Sequence, residues 1–389
     1  MKQHELHFIL LANYLPDRQE SMARYALNLR DSLHNEQVQA EIWYPTVFFG
    51  TFSKNTHAGV GKWLTYLDKY LLFPVQLWLK LKLNRGYAQE LTFFHICDHS
   101  NSPYLSLLPA NRSGITCHDV LAIRGAAGFK DTHCESSATG KILQRWILTH
   151  LSRAKILSAV SQFTMKQLLE LSKNRQPDNA RWRVIPNSFN ECFFPMEAAA
   201  SAVLLANYGI GEGEPFLLTV GSAEPRKNRK LLLDMAHCLT GQWAGLICYA
   251  GQPLDPSLLN YAEKLGLRNR VINIVEPDHR ALVALYSACT AFVFPSFAEG
   301  FGWPLIEAQA CGAPVIASSK APMPEITNGA ALYADPYAPA DFADAFLKLM
   351  EAGQRERLIA LGFENCKRFD RGLVVREFID LYMESSLRM

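Results

Sequence analysis

Twelve short apolar runs, rich in β-branched and aromatic residues, alternate along this chain with longer stretches of helical character. That alternation constrains the fold more than any other feature of the sequence. In the first half the runs are HFILLANY (7–14), VQAEIWYP (38–45), LTFFHIC (91–97), GITCHDV (114–120), KILSAVS (155–161) and RVIPN (183–187). In the second half they are FLLTVG (216–221), GLICYAG (245–251), VINIVE (271–276), AFVFPS (291–296), PVIASS (314–319) and ALYADP (331–336). Unbroken apolar runs mark strands buried on both faces, and the helices between them mark right-handed crossovers joining parallel strands. The pattern predicts an α/β fold, doubly wound, formed twice over. Two open parallel sheets of this kind face a central cleft at the carboxyl ends of their strands, where ligands bind.

Length agrees, because 389 residues exceed one ordinary domain and fit about two to three. The irregular segment PNSFNECFFPMEAAA (186–200), after which the pattern restarts, sets domains at 1–190 and 191–371, with 372–389 as a terminal helix. A composition 49% hydrophobic and 20% charged excludes disordered, collagen-like and coiled-coil chains. Lys+Arg 39 against Asp+Glu 37 leaves a net charge of +2, which speaks against a nucleic-acid partner. Nine cysteines (97, 117, 134, 192, 238, 248, 289, 311, 366) contain no C-x-x-C pair, so they point to neither a disulfide framework nor a zinc site. They fit a reducing cytoplasm.

The opening MKQHELHFILLANYLPDRQ imitates a signal-peptide core, but Asn13 and Asp17 interrupt it and it reads as a first strand. No segment reaches the roughly 18 uninterrupted apolar residues of a membrane span. KWLTYLDKYLLFPVQLWLKLKLNRG (62–86) stands apart as apolar, aromatic and basic, broken by Pro74. It reads as a pair of helices packed on the first domain. The sharper alternative is a face in peripheral contact with the inner face of a membrane or with a lipid-linked acceptor.

Chemistry concentrates in FVFPSFAEGFGWPLIEAQACGAPVIAS (292–318). Glu299 follows a strand and a turn; the chain passes Gly300, Phe301 and Gly302, then enters a helix near Pro304, a favoured first-turn residue. Gly312 suits the left-handed cap at the other end. Glycines ahead of a helix expose backbone N–H groups to an anion, and the helix dipole adds about half a positive charge. Glu307, placed in the first turn of this helix, can accept two hydrogen bonds from a vicinal diol such as a ribose. Glu299 reaches a second polyol. The set suggests a ligand with sugar, phosphate and ribose parts.

This stretch closely resembles the retaining glycosyltransferases of family 4, which carry E-G-F-G-x-P-x-x-E-A here on a two-Rossmann-domain scaffold called GT-B. The resemblance implies that Glu299 contacts the donor sugar and Glu307 the nucleotide ribose, with backbone amides near Phe301 and Gly302 facing the diphosphate. TVGSAEPRKNRKLLLDMA (219–236) agrees: strand, turn beyond Gly221, then helix, with Asn228 as its expected N-cap. Arg226 and Lys227 sit in that turn, where two fixed cations stabilise a departing diphosphate without a metal. The family often shows G-R-L-x-x-x-K-G here; this chain has Ser222 in place of that Arg and resembles the family's G-x-x-E-P-R-K-N subset, which implies that Arg226 supplies the charge.

In the first domain ITCHDVLAIRG (115–125) resembles the family's V-x-x-H-D element, which implies that His118, followed by Asp119, lines the sugar site and contributes to the reaction centre. Ser161 and Asn187 fall in similar segments and are cleft-lining candidates. The family's Gly-Gly first loop is replaced by PDRQESMARYA (16–26), where Gln19 and Ser21 are the candidates to hydrogen-bond a phosphate. Where the family usually has Gly after VINI (271–274), this chain has Val275, and backbone around Glu276 is expected to read the base, uracil or guanine. No Asp-x-Asp occurs, against the metal-dependent GT-A class, and neither G-x-G-x-x-G nor G-K-[ST] is found.

The resemblance therefore implies a metal-independent, cofactor-free hexosyltransferase using a UDP- or GDP-sugar donor and a saccharide or lipid-linked acceptor, in surface polysaccharide or lipopolysaccharide assembly. The first domain is expected to bind acceptor, the second donor, and the terminal helix to cross back to the first. Same-face attack, with the leaving phosphate as base, is the mechanism the family implies. The alternatives are a nucleotide-sugar 2-epimerase of the same fold and an inactive scaffold subunit.

Overall fold

A computed structural model describes residues 6–52, 56, 59–84, 87, 91–134, 136–173 and 176–384. Among the described residues there are twelve strands: β1 (His7–Leu11), β2 (Gln39–Trp43), β3 (Thr92–Ile96), β4 (Ser113–Cys117), β5 (Ile156–Ala159) and β6 (Arg181–Val184), then β7 (Phe216–Gly221), β8 (Leu246–Gly251), β9 (Val271–Val275), β10 (Ala291–Phe294), β11 (Val315–Ser318) and β12 (Leu332–Ala334). Each starts within one residue of its apolar run except β6, which starts two residues ahead of the expected 183 and ends at Val184, its half-buried RWRV being an edge strand rather than an apolar run. They form two six-stranded sheets, ordered β2-β1-β3-β4-β5-β6 and β12-β11-β10-β7-β8-β9, with every pairing parallel. The strand order reverses between β1 and β3 in one sheet and between β7 and β10 in the other. Those two positions are where an open α/β sheet leaves a crevice.

The chain divides into two compact units. One holds Met1–Ala127, Ser136–Asn190 and Arg371–Met389; the other holds Gly128–Glu135 and Glu191–Asp370. The short excursion 128–135, read from the sequence as part of the first domain, is counted with the second unit. The helix Arg371–Met383 lies with the first unit, where Val375, Phe378, Ile379, Leu381 and Tyr382 pack against Phe8 and Phe93. Residues 385–389, included in that helix by the sequence reading, lie outside the described residues.

Tyr382 also anchors a buried polar chain across the first sheet. Its hydroxyl meets His95 Nδ1 at 2.7 Å, His95 Nε2 meets Thr116 Oγ1 at 2.9 Å, and Thr116 meets Ser158 at 2.7 Å. Burial, with a smaller push from His118, lowers the His95 pKa to about 3, so the ring is neutral at physiological pH.

Residues 59–83 correct the expectation of two helices broken at Pro74. The run is continuous: α-helix Gly59–Leu67, a π turn Asp68–Leu72, and α-helix Phe73–Leu83 with Pro74 in its first turn. A proline inside a helix has no N–H and crowds the carbonyl four residues back, and one widened turn before it absorbs both faults. Phe73 and Leu77 enter the first unit's core. Residues 85 and 86 lie outside the described residues. Among the described residues no helix is long and apolar enough to cross a membrane.

Candidate active site

In the second unit the site is built where β7 and β10 diverge. Gly221 ends β7 at φ +148°, against the Lys227 side chain. The loop beyond it forms a short 3₁₀ turn, Pro225–Lys227, and closes at Asn228 in the left-handed conformation, φ +52°. Asn228 is therefore not the N-cap expected of it: Arg229 holds that place for helix Lys230–Cys238, with no side-chain cap. Asparagine tolerates the left-handed region that ends the 3₁₀ turn. Its amide instead donates to the carbonyls of Pro295 (3.2 Å) and Pro336 (2.8 Å), joining the loops after β7, β10 and β12. Phe297 N–H donates to Arg226 O at 2.8 Å, tying the first two loops again through main chain.

That double tie places Glu299 between two cations. Its Oε2 accepts from Arg226 Nη1 at 2.6 Å and its Oε1 from Lys227 Nζ at 2.7 Å. Arg226 also donates to Ala298 O at 3.2 Å and pairs with Glu224 at 2.7 Å. The Glu299 side chain is 7% exposed. Burial alone would raise its pKa, but Lys227 and Arg226 outweigh that and lower it to about 2. Glu299 is thus a carboxylate at any physiological pH, and the two cations are held in a fixed geometry before any ligand arrives.

After Glu299 the chain turns into helix Trp303–Ala310 through Gly302, whose φ of +101° a side chain would oppose. Gly300 and Phe301 are buried, and the Phe301 ring packs against Trp303 and Phe369 at 6.0 and 5.7 Å, so Phe301 can offer a ligand only its backbone. The helix ends at Cys311 with Gly312 at φ +77°, as its sequence predicts. Glu307 needs a correction: because Gly302 is the cap, Glu307 is the fifth helical residue and lies in the second turn, not the first. One of its carboxylate oxygens accepts from the buried Tyr286 hydroxyl at 3.1 Å. Glu276 follows β9 at φ +45°, exposed, its N–H on Gly251 O at 2.9 Å.

Sequence reasoning missed Tyr286, which sits in the apolar helix His279–Ala288 with no motif around it. It also missed an aromatic stack beside Glu299. Phe297 lies between Tyr337 (centroids 4.7 Å) and His133 (4.3 Å), the latter brought in by the 128–135 excursion.

In the first unit the β1/β3 divergence holds a second polar cluster. Asn13 Nδ2 donates to Asp98 Oδ2 at 2.6 Å and also to Gln19 Oε1, and Asn101 Nδ2 donates to Asn13 Oδ1 at 2.9 Å. Asp98 is buried and accepts from Ser100 N at 3.0 Å. Burial opposes its ionisation, yet His99, His118 and these hydrogen bonds together hold its pKa below the usual carboxylate range. His118 is buried beside it, edge-on to Tyr25 at 4.5 Å, with Nε2 2.9 Å from Cys97 O. A carbonyl can only accept, so the neutral ring carries its proton on Nε2. Burial lowers the His118 pKa, with Asp98 opposing.

The remaining first-domain candidates do not converge. Asp119 accepts from Leu121 N–H (2.9 Å) at the start of one helix. Ser161 caps another, accepting from Thr164 N–H at 3.0 Å. Ser21 is exposed in the first turn of helix Glu20–Asn35, and Asn187 is buried just beyond β6. Asp98, Asn13 and Asn101 were not singled out from sequence, and only their placement at strand ends would have marked them.

Comparison with known proteins adds four observations. Residues 203–363 match the family described as Glycosyl transferases group 1, which places the match on the second unit. The chain is 29% identical to the O-antigen chain mannosyltransferase B of Escherichia coli over 250 residues, 62% of this chain and 64% of that protein, so it spans under two thirds of that relative's length. Among solved structures it resembles sucrose-phosphate synthase from Thermosynechococcus elongatus (TM-score 0.72, 19% identity, covering 99% and 100% of the two chains). It likewise resembles Anabaena Alr3699/HepE in complex with UDP and glucose (TM-score 0.69, 16% identity, covering 96% and 98%). These neighbours and the two parallel sheets make the fold GT-B: two Rossmann-like α/β domains.

Proposed function

We propose that this chain is a retaining, metal-independent glycosyltransferase that moves a hexose from a UDP- or GDP-sugar to a hydroxyl of a saccharide or lipid-linked acceptor. Its place is in the assembly of surface polysaccharide, the O-antigen mannosyltransferase being a relative in keeping with that. The observation that carries the reading is the Arg226–Glu299–Lys227 clamp at the β7/β10 divergence. Departure of a nucleoside diphosphate leaves negative charge on the β-phosphate, and two cations already oriented by a buried carboxylate meet it without reorganising. Glu299 keeps oxygen lone pairs for the sugar hydroxyls, Glu307 accepts from the ribose diol, and the backbone through Gly300, Phe301 and Gly302 faces the diphosphate beside Gly221. Glu276 lies at the base end.

In the first unit, taken by itself as the acceptor-binding one, His118 and the Gln19–Asn13–Asp98 cluster at the β1/β3 divergence are the polar groups offered to a ligand, Gln19 and Ser21 being the candidates to hydrogen-bond a phosphate; Asp119, Ser161 and Asn187 hold the strand-end loops in shape. Neutral His118 hydrogen-bonds and does not contribute a positive charge. The attacking hydroxyl gives its proton to the departing phosphate, so no side chain has to change charge. Tests begin with thermal-shift titrations of UDP, GDP and ADP in chelator, on the wild type and on Glu307→Ala. A ligand at 100 times its Kd adds about 2.7 kcal/mol. One nucleotide should stabilise the wild type and fail on the variant; equal shifts in both would remove Glu307 from the ribose.

A further inference from the structure

We propose that the outer face of residues 59–83 rests flat on a lipid bilayer containing anionic phospholipid. The buried positions of this run are Gly61, Thr65, Asp68, Phe73 and Leu77. Their spacing is 4, 3, 5 and 4, the step of five being the π turn, which keeps one face toward the first unit through the whole run. The opposite face consequently carries a continuous apolar stripe: Val60, Trp63, Leu67, Leu71, Val75 and Trp78, each between 39% and 76% exposed. Single exposed apolar residues need no explanation, but a row of six along about 27 Å of helix does.

The charge around the stripe selects its occupant. Between residues 59 and 84 the only carboxylate is Asp68, and it is fully buried. Lys62, Lys80 and Lys82 lie on the accessible side, the last two exposed. An apolar stripe with tryptophans, flanked by lysines and free of acids, matches an interface whose core is hydrocarbon and whose rim is phosphate. A span is excluded by the inward face, which holds Asp68 and packs Phe73 on Tyr104 at 5.1 Å.

The π turn fixes this face to the loop after β1. Asp68 accepts from the Tyr14 hydroxyl (2.6 Å) and from the N–H groups of Phe48, Phe49 and Gly50 at 2.9–3.0 Å, while Lys69 pairs with Asp17 at 2.8 Å. Leu67, just before this turn, and Leu71, within it, are exposed on the other side. Lipid contact would therefore set the height of the loop that carries Gln19 above the bilayer. This inference does not depend on the transferase reading.

The test is flotation of the full chain with vesicles of phosphatidylcholine alone, and of phosphatidylcholine with one third phosphatidylglycerol, alongside two double variants, Trp63→Ser/Trp78→Ser and Lys80→Gln/Lys82→Gln. The expected result is binding to the anionic vesicles at least tenfold stronger than to the neutral ones, falling as salt rises. Each double variant should lose at least tenfold while remaining folded, the tryptophan variant keeping the wild-type Tm and the lysine variant losing at most a few degrees, because Lys80 Nζ lies 4.2 Å from the centre of the Trp43 ring. Equal binding to both vesicles, no binding, or variants that bind like wild type would overturn it. So would a concentration-dependent dimer in light scattering that the tryptophan variant abolishes, since the stripe would then face a second copy.

Discussion

Replacing Lys227 with methionine keeps most of the side-chain volume and removes one of the two charges on Glu299. The Glu299 pKa is lowered from 4.5 to about 2, which corresponds to about 3 kcal/mol of preferential stabilisation of the carboxylate. Both side chains are less than one sixth exposed, so solvent screens the pair little. With Arg226 remaining, losing roughly half of this gives a destabilisation of about 1–2 kcal/mol. At about 2–4 °C per kcal/mol for a unit of this size, Tm should fall by about 2–8 °C at pH 7.

The sign with pH follows from the direction of the shift. A depressed carboxylate pKa contributes stability that is complete above pH 4.5 and is lost as pH falls toward 2. The gap between wild type and Lys227→Met should therefore narrow as the pH drops below 4.5. Turnover should suffer more than stability: loss of one preorganised donor to a developing anion costs about 10²–10³ in kcat. The assay is release of nucleoside diphosphate under saturating donor, with thermal unfolding recorded in parallel between pH 3 and 7. A kcat within threefold of wild type would refute the leaving-group role. A stability gap that stayed constant across that pH range would refute the charge clamp.

Glu307→Gln should raise the Kd for the donor nucleotide about tenfold with kcat little changed, read by calorimetry, and Tyr286→Phe should give a smaller change in the same direction. His95, neutral when folded with a pKa near 3 against an ordinary 6.5, contributes stability that is complete above pH 6.5 and falls by about 1.4 kcal/mol per pH unit below it. Between pH 6.5 and 5 the wild type should lose about 2 kcal/mol to this group, and His95→Gln should flatten that slope in urea melts. Asp68→Asn removes the charge that gathers three backbone N–H groups and the Tyr14 hydroxyl, and should lower stability by about 2–4 kcal/mol.

Most strands were legible because they are continuous apolar runs, and continuity is a local property; the edge strands β2 (QAEIW) and β6 (RWRV) are not, and β6 begins two residues ahead of where its run predicts. The donor side was legible for a related reason: Glu299, the glycines and Glu307 lie within nine residues, so their geometry is mostly that of one turn and one helix. Less visible was what sets that geometry. Asn228 reads as a helix cap until the loops after β10 and β12 come within reach of its amide. Glu307 moves from the first turn to the second because Gly302 is the cap and the helix begins at Trp303, ahead of Pro304. Contacts between distant positions were not legible at all. Asn13 meets Asp98 across 85 positions, and His95 meets Tyr382 across 287. Nothing local in HICDHSN distinguishes a buried, ionised aspartate from a loop residue, and nothing in CHDV announces a histidine kept neutral by burial.

The measurement that tests the central claim most directly is proton NMR of the chain incubated in chelator with UDP- and GDP-hexoses and a polysaccharide-derived acceptor fraction. The account predicts that the anomeric signal of one α-linked donor decays as nucleoside diphosphate appears. The first-formed product should be α-configured, and Lys227→Met should slow the decay at least a hundredfold. A β-configured first product, a donor epimerised at C2 with its nucleotide still attached, or a donor panel left intact would contradict it.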